Sequence, residues 1–298
     1  MFPFVAVDES KIWPLHTYGV CCMVAFFVWD HVGMKMAVRR GFDRRDFRVL
    51  TVLLGVFGWS FAWGVDTIFY RSDASSGSGL GIQRLSSTGA IIGATLGTVL
   101  WSRFRLHGEG KRWRFERRSS PLPLLPVSEV ILATWPIAFA FGRLGCALIH
   151  DHVGRAVAPG TIGSLFAVGF PRYEGDGVHR VLGPIHVITG ASDVRYDLGL
   201  IELLVLAALA VGFALTWKRE VKMGTYTIVA SLVYGPVRFA LDFIRAEDGP
   251  TGEVRHGGLT FAQYWSLAVI ALGVVLLLRR RRDDDHAAAA SAASAPAD

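Results

Sequence analysis

The sequence predicts an all-α integral membrane protein with seven transmembrane helices and a small extracytoplasmic cap. Of its 298 residues, 52% are hydrophobic and only 19% are Asp, Glu, Lys or Arg, and the mean hydropathy is +0.39. This composition is unlike that of a soluble domain. The three cysteines, Cys21, Cys22 and Cys146, lie in or beside apolar runs and form neither a paired disulfide framework nor a zinc-binding spacing. The net charge of +6 does not indicate nucleic-acid binding, because the basic residues lie between apolar runs instead of covering one face.

Seven apolar runs carry this prediction, since each is close to the length of about 20 residues that a helix needs to cross the hydrocarbon core. They cover residues 13–34, 48–70, 86–102, 125–149, 198–217, 224–244 and 259–278. Barrel strands are excluded because the runs are too long and too uniformly apolar. Asp8 and Glu9 precede the first run in place of a basic leader, so we expect a membrane span there and not a cleaved signal peptide.

The basic residues predict the orientation of the spans. Of the 31 Lys and Arg residues, 20 fall on one side of the predicted membrane and nine on the other. The more basic side is expected to be cytoplasmic, which places the amino terminus outside and the carboxyl terminus inside. We expect residues 1–283 to form one transmembrane domain, with a cap at 155–195 that prolines and glycines interrupt, and residues 284–298 to form a disordered tail. The basic segment 103–121 is expected to be an inner loop near anionic headgroups.

Two arginines remain, and both lie inside predicted spans. A central arginine costs about 2.5–3.5 kcal/mol on insertion scales, so such residues usually serve a function. Arg143 and Arg238 both approach the outer leaflet, where two guanidinium groups can converge on one anion. A guanidinium fork matches a phosphate bidentately, which predicts a lipid phosphate as that anion. The alternatives are snorkelling of Arg143 to the interface and an internal pair of Arg238 with Asp242, one helical turn away.

The segment after Arg143 contains closely spaced polar residues in "GRLGCALIHDHVG". Gly145 and Gly154 leave room for a neighbouring helix or for a ligand. Asp151 lies between His150 and His152, a combination that can bind a metal ion. We expect no metal here, because the sequence offers no evident third ligand.

Four motifs now support a resemblance to a known family. "LHTYGV", "GRLGCALIHDHVG", "YGPVRFALDFIRAED" and "LTFAQYWSL" occur in the order and spacing of the prolipoprotein diacylglyceryl transferases. The resemblance implies a multi-pass enzyme of the bacterial inner membrane that needs no cofactor. Its implied partners are phosphatidylglycerol and the lipobox cysteine in the signal peptide of a prolipoprotein, whose thiol receives the diacylglyceryl group while glycerol phosphate is released.

The resemblance and the motifs also assign residues. The expected catalytic residues are Arg143, Arg238 and Asp151. The residues expected to bind the phospholipid are His16, Tyr18, Gly145, Gly154, Glu202, Asp242 and Arg245. Because a free thiol has a pKa of about 8.5, the reaction needs a base or a positive field. We favour Asp151 as the base, with His16, His150 and Asp66 as alternatives.

Three positions depart from the family pattern. Thr88 stands where the family has a histidine of its catalytic centre, Cys146 replaces an asparagine, and Trp63 replaces an arginine. The chain therefore resembles a divergent member, and three alternatives stay open. They are a non-catalytic relative that binds lipid or lipoprotein, a transferase with another acceptor, and an anion transporter. The absence of an internal repeat counts against the transporter.

Overall fold

The computed structural model describes residues 2–7, 16–70, 86–109, 112–158, 160–170, 178–182, 185–188, 193–246 and 255–293. Seven α-helices of 17 residues or more lie within these ranges. They are α1 (Thr17–Arg39), α2 (Arg44–Val65), α3 (Ser87–Arg103), α4 (Leu124–Ile149), α5 (Leu198–Thr216), α6 (Thr225–Leu241) and α7 (Phe261–Ala293). They follow the order of the seven apolar runs, and a π-helical segment, Asp66–Tyr70, continues α2. Residues 71–85, between the second and third apolar runs, lie outside the described residues.

Five of these helices are long and apolar enough to cross a membrane. These segments are Thr17–Arg39, Arg44–Ile68, Leu124–Ile149, Leu198–Thr216 and Phe261–His286. The helices α3 and α6, at 17 residues each, fall below the 18 residues of that criterion. The protein is therefore a mostly helical, multi-pass membrane protein.

Helix α4 is at the centre of the bundle, where it packs against α1, α5 and α6. The pairs α2 with α3 and α6 with α7 form the other large helix contacts. The main core contains large side chains that are almost completely buried, and these are Trp101, Tyr226, Phe47, Met36, Leu50, Leu206, Val127 and Val130. Since α4 contacts three other helices, its polar residues are held among several helices.

Glycines allow α2 and α3 to approach closely. Gly89, Gly93 and Gly97 follow each other at intervals of four on α3, which places them on one helical face. A Cβ atom at Gly89 or Gly93 would overlap the backbone carbonyl of Phe61 or Phe57, and one at Gly97 would lie 3.3 Å from the carbonyl oxygen of Leu53. Spacing of small residues by four is typical of close helix contacts in membranes.

The cap contains β-strands, which the prediction did not include. Two antiparallel sheets have the strand orders β1–β7–β6 and β4–β8–β5. The strands are β1 (Phe4–Val7), β4 (Val153–Ala156), β5 (Ala167–Phe170), β6 (Val178–Leu182), β7 (Ile185–Ile188) and β8 (Asp193–Asp197). A 3₁₀ helix, Ile162–Phe166, precedes β5. Because β4 follows α4 and β8 leads into α5, the cap is fixed to one end of the bundle, called here the cap end.

Two other segments also differ from the sequence predictions. The basic segment expected to be a loop forms an antiparallel hairpin of β2 (Phe104–Glu109) and β3 (Arg112–Arg117). The expected disordered tail is helical for its first residues, because α7 continues to Ala293. Its alanine-rich sequence explains this, since alanine has the highest intrinsic helix propensity.

Candidate active site at the cap end of the bundle

Two buried arginines meet at one carboxylate. Arg143, near the end of α4, forms an ion pair through Nε with Glu202 Oε2, and Arg238 Nε lies 3.5 Å from Glu202 Oε1. Tyr234 donates a hydrogen bond of 3.4 Å to Glu202 Oε2. Arg143 and Glu202 are each 2% exposed. The two arginines that the sequence predicted to converge therefore lie on either side of Glu202.

A second buried carboxylate, Asp242, follows the end of α6. It accepts a hydrogen bond from Arg238 Nη1 and a bond of 2.5 Å from the Thr260 hydroxyl. Arg245 Nη2 lies 3.5 Å from Asp242 Oδ1. The predicted pairing of Arg238 with Asp242 is thus present, and Arg238 interacts with Glu202 as well.

Arginines outnumber carboxylates in the ion pairs described so far. Three guanidinium groups share two carboxylates in these pairs. Arg143 Nη2 is buried and makes no hydrogen bond to any residue that the structure describes. The Arg143 guanidinium carbon lies 5.0 Å from the centroid of the Phe139 ring, a cation–π distance. A buried guanidinium with an N–H group that makes no such hydrogen bond is suited to bind an anion.

A chain of polar groups extends from Arg143 towards the cap. Arg143 Nη1 lies 3.3 Å from His152 Nε2 and 3.7 Å from Cys146 Sγ, and His152 Nδ1 pairs with Asp151 Oδ1. Burial acts to raise the pKa of Asp151, but the hydrogen bond from His152 and the charge of Arg143 act in the opposite direction, and the pKa lies below its ordinary value. Asp151 therefore stays ionised near neutral pH.

The same row of polar groups includes a third possible metal ligand, which was not evident from the sequence. Cys146, Asp151 and His152 offer ligand atoms within 4.8 Å of one another. However, the Arg143 guanidinium is within hydrogen-bonding distance of two of these three residues. A permanent cation at this position repels a metal ion. The cluster is therefore better suited to proton transfer and anion binding than to metal coordination.

His150 has a different environment from His152. It ends α4 in the left-handed conformation, with φ of 51°. Its Nδ1 lies 2.6 Å from Asp197 Oδ2, its Nε2 lies 3.0 Å from the Val5 carbonyl oxygen, and its ring stacks on Phe4. His150 thus connects the bundle to the cap sheets.

The other predicted site residues lie around this end of the bundle. His16 is the exposed N-cap residue of α1. A Cβ at Gly145 would lie 3.1 Å from the half-buried Tyr18 ring, so Gly145 allows α1 to pack against α4. Gly154 and Arg245 form a β-bridge between β4 and the segment after α6. The alternative base Asp66 is buried at the start of the π-helical segment.

The departures from the family pattern lie in different environments. Thr88 is buried near the start of α3, whereas Trp63 is exposed on α2. Cys146 is buried on α4, and a Cβ at Gly199 of α5 would lie 3.1 Å from its Cβ. A small residue at position 146 therefore suits the close contact of α4 with α5.

Sequence reasoning did not assign a role at the arginine cluster to three residues that contact it. The sequence places His152 only in a possible metal-binding segment, beside His150 and Asp151. Tyr234 precedes Arg238 by four residues, so helical periodicity alone places the two on one face. Thr260, which opens α7, carries no signal that points to Asp242.

The helices and this cluster define a multi-pass membrane protein with a buried arginine–carboxylate centre. The chain belongs to the prolipoprotein diacylglyceryl transferase family, whose model matches residues 5–279. It is 25% identical over 284 residues to the phosphatidylglycerol–prolipoprotein diacylglyceryl transferase of Helicobacter pylori (strain Shi470), covering 88% of each chain. It is 26% identical over 277 residues to the enzyme of the same name from Xanthomonas euvesicatoria pv. vesicatoria (strain 85-10), covering 88% of this chain and 86% of that one.

Proposed function

We propose that this protein is a transferase that moves the diacylglyceryl group of phosphatidylglycerol to the cysteine thiol of a prolipoprotein. Membership of the family and the names of the similar proteins support this reaction. The observation that carries it is the convergence of Arg143 and Arg238 on Glu202 within the bundle. No cofactor enters the proposed reaction.

The two arginines bind the phosphate of the lipid in this proposal. Arg143 has a buried donor, Nη2, without a hydrogen bond to the described residues, and Glu202 holds both guanidinium groups in place before the lipid arrives. Negative charge grows on the phosphate as it leaves, so donors that are oriented in advance stabilise the transition state more than the bound lipid. Asp242 and Arg245 orient Arg238, and Gly145 and Gly154 allow the close packing that positions the cluster.

The membrane topology is part of the same proposal. All seven helices cross the bacterial inner membrane, with the amino terminus outside and the carboxyl terminus in the cytoplasm. The excess of Lys and Arg on one side supports this orientation. Residues 1–283 form one transmembrane domain, in which the cap at 155–195 faces the outside. The cap end is then the side from which a secreted precursor arrives, and His16 and Tyr18 lie on that side at the start of α1.

Transfer of label from phosphatidylglycerol to a lipobox peptide tests the proposal with purified protein. Arg143→Lys keeps the charge but loses the planar fork, so we expect transfer to fall by about 10²–10³-fold, as for loss of one preorganised donor. The control is Lys222→Ala, which removes an exposed cation that pairs with Asp284 and is expected to leave transfer unchanged. Full activity of Arg143→Lys would contradict the phosphate role.

A non-catalytic relative is the second candidate, and Thr88 favours it, because threonine cannot act as a base near neutral pH. The same assay separates the two. Label on the peptide supports the transferase, whereas binding of phosphatidylglycerol without transfer supports the non-catalytic relative.

A further inference from the structure

The ring of His152 has one donor and one acceptor as neighbours. A guanidinium group carries only donors, so the contact of 3.3 Å between Arg143 Nη1 and His152 Nε2 requires Nε2 to accept. The ring proton then lies on Nδ1, which donates to Asp151 Oδ1. His152 is therefore neutral, with the lone pair of Nε2 directed at the arginine cluster.

His150 provides a contrast two residues earlier. Both of its ring nitrogens face oxygen acceptors, Asp197 Oδ2 and the Val5 carbonyl. Each nitrogen is directed at an oxygen of its own, so neither is directed at the arginine cluster. Of these two histidines, only His152 directs an acceptor nitrogen at Arg143.

We infer that His152 is the base that takes the proton from the acceptor thiol, and that Asp151 is the positioning residue that fixes its tautomer. The inference rests on the proposed function, because it concerns the thiol that this reaction consumes. Such a thiol, with a pKa of about 8.5, is mostly protonated at neutral pH. A base near the phosphate site meets this need, and Thr88 cannot supply it.

The proposed step balances atoms and charge. The thiol proton moves to His152 Nε2 while the sulfur attacks the glycerol carbon of the diacylglyceryl group. A carbon–sulfur bond forms, and the bond from that carbon to the phosphate oxygen breaks. The electron pair of the broken bond leaves with glycerol phosphate. The imidazolium then releases its proton to water, which can reach the ring because the His152 side chain is 22% exposed.

Arg143 couples this base to binding of the lipid. In the structure, the Arg143 guanidinium occupies the lone pair of His152 Nε2. A bound phosphate draws the Arg143 donors to itself, which leaves Nε2 as the acceptor for the thiol. Asp151, which stays ionised, then stabilises the imidazolium as the buried carboxylate does in a serine protease triad.

The ionisable groups near His152 among the described residues come from α1, α4 and α5, and Tyr18 and Cys22 of α1 interact electrostatically with Arg143. Asp151 is its partner, Arg143 and Cys146 come from α4, and Glu202 of α5 lies behind Arg143. A change in the charge of any of these groups alters the electrostatic environment of the proposed base. A rate–pH profile therefore reports on the whole group, and a test of His152 needs a readout that depends on the thiol proton itself.

A peptide that carries selenocysteine in place of the lipobox cysteine provides this readout, since a selenol is ionised at neutral pH without a base. We expect His152→Ala to slow transfer to the cysteine peptide by about 10²–10⁴-fold. With the selenocysteine peptide, the rate of this variant should approach that of the wild type. Asp151→Asn should show the same pattern, because the amide favours the other tautomer. Arg143→Ala should slow transfer to both peptides, because this variant lacks a guanidinium that binds the phosphate of the lipid in the proposed reaction.

The outcomes distinguish this inference from the proposed function. Equal rates for the wild type and His152→Ala with the cysteine peptide would overturn the role of His152. An equal loss with both peptides would also overturn it, since that result indicates a structural defect. Binding of phosphatidylglycerol vesicles by His152→Ala checks that the variant is folded. If the wild type transfers to neither peptide, the proposed function itself fails.

Discussion

Arg143 and Glu202 form an ion pair between α4 and α5 in which both side chains are almost completely buried. Two charges of opposite sign pay a desolvation cost in such a place, and their mutual attraction offsets it only when the geometry is good. Glu202 offsets the desolvation cost of two arginines, since Arg238 Nε lies 3.5 Å from the other carboxylate oxygen of Glu202. The carboxylate of Glu202 thus holds the two arginines close to each other.

Glu202→Gln should destabilise the protein, because it leaves two buried guanidinium groups facing a neutral amide. We expect a loss of about 3–5 kcal/mol in the free energy of unfolding, as when one partner of a buried pair is removed. Phosphatidylglycerol should restore more stability to this variant than to the wild type, since the phosphate takes the place of the missing anion. Unfolding in a neutral detergent, with and without the lipid, measures both effects.

Glu129→Gln is the matched control for this prediction. Glu129 is also completely buried, but it accepts hydrogen bonds of 2.7 and 2.9 Å from the backbone and hydroxyl of Thr227, at the start of α6. The variant should lose stability, whereas its gain from phosphatidylglycerol should match that of the wild type. Equal gains for Glu202→Gln and Glu129→Gln would count against a phosphate site at Arg143 and Arg238.

Thr260→Val should weaken the second carboxylate of the site. The hydroxyl donates a bond of 2.5 Å to Asp242 and accepts one of 3.2 Å from the Gln263 backbone at the start of α7. Loss of a bond to a buried charge together with a helix cap is expected to cost about 2–4 kcal/mol. Thr260→Ser keeps the hydroxyl and should retain most of the stability. Thermal unfolding of both variants checks this, and similar losses in the two would contradict it.

The helices could be predicted because seven long apolar runs alternate with charged segments, and the bilayer requires a helix for such a run. The strands of the cap could not, since prolines and glycines interrupt the apolar runs between 155 and 195 and the β1 partner of β7 lies far away in the sequence. The basic hairpin β2–β3 was missed for a related reason, because its charged residues are equally typical of a loop.

The approach of Arg143 to Arg238 could be predicted from their depth in the spans, but the position of Glu202 came only from the family resemblance. The contact of His152 with Arg143 could not be predicted. It depends on the left-handed conformation of His150, which turns the chain after α4, and a non-glycine residue gives little indication of such a turn.

The stability that Asp151 provides should disappear in acid. Its pKa in the folded protein lies below the ordinary value, so its contribution is present above the pKa of an unfolded aspartate, about 3.9, and is lost as the pH falls through the lower folded value. Asp151→Asn lacks this contribution at every pH. The difference in unfolding free energy between the wild type and Asp151→Asn should therefore shrink between pH 6 and pH 3. A difference that stays constant over this range would contradict the pairing with His152.

Gly93→Ala should separate α2 from α3, because the new Cβ would overlap the carbonyl group of Phe57. A backbone atom cannot move aside as a flexible side chain does, so we expect the free energy of unfolding to fall by about 1–3 kcal/mol, typical of overpacking.

Two other glycines provide the comparison. Gly97→Ala, where the Cβ would lie 3.3 Å from the nearest backbone oxygen, should destabilise the protein less. Gly19→Ala on α1 meets nothing within 4 Å and should be neutral or stabilising, since alanine is the better helix former. Thermal unfolding of the three variants in one detergent tests this order, and a Gly93→Ala variant as stable as Gly19→Ala would show that α2 and α3 do not pack through these glycines.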